Sequence, residues 1–508
     1  NPLYFSTPNL NAALDAGDIT WETIDTRLVQ RYTPMFRLGQ FEHNWDQLLP
    51  IDYEAHNATA TSIAEQGVVL MKNENDLLPL DGDKLATMGD MLMIGPDSVV
   101  KEPKIGNNGP NSTITPRTQE RPILALREAL ADQGYTAFLH ENNGADLAAA
   151  RELAAGMDAV IVVVTEFSSE FYDRDTLSLE PAENNDGSVT DQLALVEAMA
   201  EVNDNVIVLL KTANSVLTDS FEDDVEAMVQ AWYPGQQDGL AVARVLTGEV
   251  NPGGKMPITW ATQEREAQWA EERNWPGVWE DGQLTSYYTT GLEQGYRWYQ
   301  ANDVESSFPF GFGLSYTDFE MSAAQVTAAS GVATVDVTVT NTGDRAGAEV
   351  PQVYLSFPDS FGEPPLRLVG FDKPFLQPGE SATVSIPIDP QASNHPVGIF
   401  DVDGDQWVNP DGTIGIHLGT SSANTQQIGT LTMSAGVLTG VTSTGLGDGE
   451  DPEPTPDPDP QGHMVFYNDE WSNQATNSVH MPNTGEGDDF FSGDWDGDGT
   501  DTIAVRRG

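Results

Sequence analysis

The chain has 508 residues, with 23 Lys and Arg against 79 Asp and Glu, a net charge of −56. That balance excludes a basic face for nucleic acid or anionic membrane, and the acidic shell suits high salt, where self-repulsion is screened. The absence of cysteine excludes disulfides and thiolate chemistry.

Hydrophobic residues make up 39%, enough for cores in roughly three or four domains. No apolar run is long enough to span a bilayer. The opening "NPLYFSTPNLNAAL" lacks a basic start, an apolar h-region and an initiator Met. It is the start expected of a mature or truncated product.

Residues 1–51 read as helices. Asn9 is the expected cap of "LNAALDA" and Gly17 its stop. Thr20 is the expected cap of the next helix, which places Ile24, Leu28, Tyr32 and Phe36 at helical spacing. Pro34 is expected to bend or shorten it. So small a piece holds no core of its own and needs something to pack against.

Residues 52–262 alternate strands and helices. Candidate strands are 68–72, 91–95, 159–164, 206–211 and 227–232. Candidate helices are 123–133, 145–154, 192–202 and 240–246. Continuous apolar strands alternating with helices predict a mainly parallel sheet covered on both faces. In such sheets functional loops gather at the carboxyl ends of the strands. The stretch "VIVVVTEFSSEFYDRDTLSLE" puts Glu166, Glu170, Asp173, Arg174 and Asp175 just past such an end.

Residues 263–316 form a Trp- and Tyr-rich connection. Within it "YRWYQ", 296–300, is spaced for packing against the following domain at least as well as for lining a sugar site. From 317 to about 435 the pattern alternates with period two, as in "VATVDVTVTNTG", and short strands separated by turns predict an antiparallel β-sandwich. Residues 436–462 are a Pro- and Asp-rich linker. Residues 463–508 read as a partial repeat module ending on "FFSGDWDGDGTDTIAVRRG".

Four stretches resemble the C-terminal half of glycoside hydrolase family 3, the β-glucosidase and exo-glucanase family. They are "RYTPMFRLGQFE", "GVVLMKNENDLLPL", "AWYPGQQDGLAVARVLTGEVNPGGKMPITW" and "GLEQGYRWYQANDVESSFPFGFGLSYTDFE", in family order from Leu3 to about Leu431. Phe312 departs from the family's more usual residue between two glycines. The resemblance implies the tail of a (β/α)8 barrel, then an α/β sandwich with a mainly parallel sheet, then a fibronectin type III-like β-sandwich. The small C-terminal module follows.

A retaining glycosidase needs two carboxyl groups roughly 5–5.5 Å apart, one a nucleophile and the other an acid/base. The resemblance places "EFYDR", residues 170–174, on the family's Glu-Gly-x-Asp-Arg-like setting. It thereby implies Glu170 as the acid/base, with Phe171 replacing the usual small residue. Glu166 is the second choice. The family's nucleophile is a barrel Asp, and a barrel takes roughly 250 residues, so no residue here is a candidate for it. The missing barrel is expected from the same gene upstream or from another chain, and this chain alone is expected to be inactive.

"GNNGPNSTITP", 106–116, lacks the ending of a nucleotide-binding loop and resembles a family loop near the substrate entrance. In "DWDGDGTD", Asp494, Asp496 and Asp498 alternate, with Asp501 one place short of the usual ninth position. The pattern resembles the Ca²⁺ loops of extracellular propeller repeats. Catalysis needs no cofactor on this reading. The expected whole is a secreted β-glucosidase-like enzyme acting on β-linked glycosides, with secretion inferred from linker and module. The alternative is a non-catalytic carbohydrate- or surface-binding protein built from the same domains.

Overall fold

A computed structural model describes residues 5–42, 51–103, 120–166, 174, 176–266 and 270–446, together with three strands between 464 and 506. The chain divides into two compact units, 1–56 and 57–508.

In the first unit, α1 spans Thr7–Ala16 and α2 spans Trp21–Arg37. Ser6, not Asn9, is at the N-cap of α1, because Pro8 in the first turn has no N–H to leave unsatisfied. Gly17 closes α1 at φ 79°, as its freedom from a Cβ allows. Thr20 caps α2 through its hydroxyl, and Thr23 returns the bond to the Thr20 N–H. Pro34 does not stop α2. It sits in the last turn, where only one backbone donor is lost, and its carbonyl accepts from the Leu38 N–H at 2.9 Å. No residue of either helix is buried.

The second unit opens with the end of α3 (Tyr53–Gly67) and a six-stranded sheet. Its strands are β1 (Val69–Asn73), β2 (Met91–Ile94), β3 (Leu139–Asn142), β4 (Ala159–Thr165), β5 (Val206–Lys211) and β6 (Ala227–Gln230). The order is β1-β6-β5-β4-β2-β3, parallel except that β1 runs antiparallel to β6. Every residue of β4 and β5 is buried. Ile161 and Val163 face one core, with α4 (Pro122–Asp132) and α7 (Asp238–Leu246) over it. Val160, Val162 and Val164 face the other, covered by α5 (Leu147–Ala154) and α6 (Gln192–Ala200). A strand covered on both faces has no place for polar alternation, hence the apolar runs. Each such side chain contributes about 1.5–3 kcal/mol of burial.

The β-sandwich packs β7-β8-β11 against β10-β9-β12-β13-β14. The first sheet holds β7 (Phe319–Ala329), β8 (Val332–Asn341) and β11 (Ser381–Ile388). The second holds β9 (Gln352–Ser356), β10 (Arg367–Phe371), β12 (Gly412–Gly419), β13 (Thr425–Ser434) and β14 (Val437–Ser443). Alternate residues of β8 are buried throughout, as the period of two predicts. The sandwich extends through β14 to Ser443, past the expected limit at 435. β14 pairs with β13 across a tight turn, and Gly436 takes φ 74° there.

The sandwich is fastened to the α/β domain by polar side chains. Buried Gln352 donates to the Gly311 carbonyl at 3.0 Å and to the Thr420 carbonyl. Asn251 accepts from the Tyr316 N–H at 2.8 Å, and Arg345 pairs with Asp81. Tyr296 packs on this junction, its ring stacked on Phe310 and its hydroxyl accepting from the Leu368 N–H at 3.0 Å. Further on, Met464–Tyr467, Asp489–Gly493 and Thr502–Arg506 pair antiparallel as a three-stranded sheet.

Candidate active site

The parallel strands deliver polar side chains to one rim. β4 ends on Thr165 and runs into Glu166. β5 ends on Lys211 and continues through 212–215. β6 ends on Gln230 and continues to Trp232 and Tyr233. The end of β4 is held in both directions by Gln192. Its side chain accepts from the Thr165 N–H at 2.8 Å and donates to the Thr165 carbonyl at 2.7 Å. Thr165 Oγ1 donates to the Lys211 carbonyl at 2.9 Å, which ties β4 to β5 above the last ladder bond.

Glu166 is 2% exposed. Its Oε1 accepts from the Ala213 N–H at 2.7 Å and from the Tyr233 hydroxyl at 2.6 Å. Trp232, just before Tyr233, adopts φ 59°, costly for a bulky residue, and its indole N–H donates to the Gly67 carbonyl at 2.9 Å. Arg174 is half-buried and donates from Nη1 to the Ser215 carbonyl at 2.9 Å and from Nη2 to the Leu177 carbonyl at 3.0 Å. The Leu177 N–H donates to both oxygens of Glu264 at 2.9 Å. Beneath this rim, Lys211 and Asp238 form a fully buried pair, and Thr212 and Gln230 bond to each other.

The segment 167–173, which carries Glu170 and Phe171, lies outside the described residues, as does the loop 106–116. Asp494, Asp496, Asp498 and Asp501 also lie outside them. Among the described residues no group of three His, Asp or Glu is placed to hold a metal ion. Tyr233, Lys211 and Asp238 were not singled out in the sequence. Tyr233 follows an apolar strand like many packing aromatics. The one available signal for Lys211 is a charge closing the run "VIVLLK", which calls for a buried counter-charge.

A two-faced α/β sheet with Glu166 at its carboxyl rim is followed by a tightly joined β-sandwich. Residues 68–316 match the family profile "Glycosyl hydrolase family 3 C-terminal domain", and residues 349–422 match "Fibronectin type III-like domain". Residues 68–316 thus carry the C-terminal domain of glycoside hydrolase family 3, followed by a fibronectin type III-like domain. It is 33% identical over 395 residues to thermostable beta-glucosidase B of Acetivibrio thermocellus, covering 75% of this chain and 49% of that one. It is 32% identical over 384 residues to an exo-alpha-(1->6)-L-arabinopyranosidase of Bifidobacterium longum, covering 73% and 48%. Among solved structures it resembles DesR, a beta-glucosidase from Streptomyces venezuelae in complex with D-glucose. There the TM-score is 0.72 at 25% identity, covering 86% of this chain and 66% of that one. The chain thus spans about half the length of the two curated relatives named here.

Proposed function

We propose that this chain forms the C-terminal portion of a secreted, retaining, exo-acting β-glycosidase that releases terminal β-D-glucosyl residues. Glu170 is the acid/base. It protonates the glycosidic oxygen as the aglycone leaves, and then takes a proton from the water that hydrolyses the glycosyl-enzyme. The nucleophile that forms this intermediate comes from a barrel outside these 508 residues. The observation that carries the reading is the family match over 68–316, which includes "EFYDR" just beyond the carboxyl end of β4. β-Glucosidases among the relatives and solved structures support glucose as the released sugar. The arabinopyranosidase among the relatives makes α-L-arabinopyranosides the competing substrate to test.

The test is hydrolysis of aryl β-glucosides and aryl α-L-arabinopyranosides by the full-length gene product, with Glu170→Gln beside it. Loss of the acid is expected to lower turnover of a phenyl glucoside by about 10²–10⁴-fold. Azide, which needs no general base, is expected to restore deglycosylation in the variant and yield a glycosyl azide. Undiminished turnover in Glu170→Gln would remove Glu170 from the role. Inactivity of the unaltered protein on every glycoside would favour the non-catalytic alternative.

A further inference from the structure

We infer that Arg127 closes the free edge of the six-stranded sheet, and that without it a second copy of this chain pairs there, strand to strand. Among the described residues β3 has β2 as its one ladder neighbour. The Phe138 and Asn142 carbonyls accept from the Met91 and Gly95 N–H groups along β2 at 2.9 and 3.1 Å. Backbone groups of alternate residues of β3 thus point to β2, and those of Leu139 and Glu141 point away from the sheet. A row of outward N–H and C=O groups is a template for pairing with another chain.

Arg127 lies across that template. It stands on α4, whose Ile123, Leu126 and Leu130 are buried in the core on one face of the sheet. Its Nε and Nη2 donate to the Leu139 carbonyl at 3.0 and 2.9 Å, the distance at which an incoming strand would place its own N–H. Nη2 also lies 3.4 Å from Glu141 Oε2. One guanidinium therefore engages both residues whose backbone faces outward. Its Cζ is 5.3 Å from the centre of the Phe138 ring, within cation–π range. Phe138 is 54% exposed, and Leu124, one turn before Arg127 on α4, is 47% exposed. Apolar side chains that favour a neighbour flank the plug. The net charge of −56 also keeps copies apart. That repulsion reaches about 10 Å at 0.1 M salt and only about 3 Å at 1 M, so in concentrated salt the plug decides whether the edge pairs.

The experiment measures mass by light scattering for the full-length protein at about 0.1 M and about 1 M sodium chloride. The variants are Arg127→Met, which keeps an apolar stem over Phe138 but has no donor, Arg127→Ala, Glu141→Pro, and each Arg127 variant combined with Glu141→Pro. Proline at 141 removes an outward N–H and leaves the ladder to β2 intact. Thermal melting of each variant reports folding. Both Arg127 variants are expected to reach the mass of a dimer or larger at the higher salt. Adding Glu141→Pro is expected to return them to the mass of the unaltered protein. Folded Arg127 variants that keep the unaltered mass at both salts would overturn the inference. Association that persists undiminished with Glu141→Pro would overturn it too, because another surface would then be responsible. A fall in mass on Glu141→Pro alone would do the same, because the edge would then be open with Arg127 in place.

Discussion

Lys211 Nζ lies 2.7 Å from Asp238 Oδ2, and neither side chain has any solvent exposure. Lys211 closes a central strand and Asp238 opens α7, so the pair joins sheet to helix under the candidate site. Burial pushes the Lys211 ammonium below its ordinary range, and the attraction of Asp238 opposes that. A buried pair adds little over apolar residues of equal volume, but half of one is costly. Lys211→Met or Asp238→Asn alone should cost about 3–5 kcal/mol in denaturant unfolding. The double variant Lys211→Met/Asp238→Leu should recover most of that loss.

The sandwich should be acid-sensitive through His417. Its Nε2 is 2.9 Å from Ser356 Oγ on the paired strand, and burial lowers its pKa from the ordinary 6.5. The unfolded chain then takes up a proton that the folded one resists. Stability is complete above 6.5 and falls as pH drops below it toward the folded value. Melting of the protein between pH 7.5 and pH 5 should show this decline. His417→Gln should flatten it.

Gly95 follows β2 at φ 152°, and a Cβ there would lie 2.1 Å from the Val163 carbonyl oxygen of β4. Neither backbone can retreat, because β2 and β4 are paired at the sheet centre. Gly95→Ala should therefore cost about 1–3 kcal/mol or more, read as a lower melting temperature.

The net charge of −56 makes salt a stabiliser. The screening length falls from about 10 Å at 0.1 M to about 3 Å at 1 M. The melting temperature should rise across that range in sodium chloride. Replacing sodium chloride by an equal osmolality of sucrose separates screening from general exclusion effects.

Much of the α/β domain was legible because doubly buried strands read as unbroken apolar runs. β2, β4, β5 and β6 begin where those runs begin. β3, "LHEN", escaped because it is an edge strand with only Leu139 buried, so neither run nor alternation marks it. The reversed direction of β1 was illegible as well, since a strand's burial pattern is the same whichever way it runs. Glu170, which the resemblance implies, lies outside the described residues, and composition could not show that Glu166 is tied to Tyr233. That bond spans 67 positions and depends on the backbone turn at Trp232. Buried Asp238 likewise looked like one more acid in an acidic chain.

Gln352 sends its amide to Gly311 in the approach from the α/β domain and to Thr420 beside β12, while Tyr354 donates to its oxygen at 2.6 Å. With Asn251 and the Arg345–Asp81 pair, this makes the sandwich a rigid extension of the α/β domain rather than a bead on a string. A tension applied at the end of β14 is therefore transmitted to the sheet through several parallel side-chain ties, not through the connecting backbone alone. Whatever is attached beyond residue 446 can pull, drag or anchor without loosening the rim where Glu166 sits.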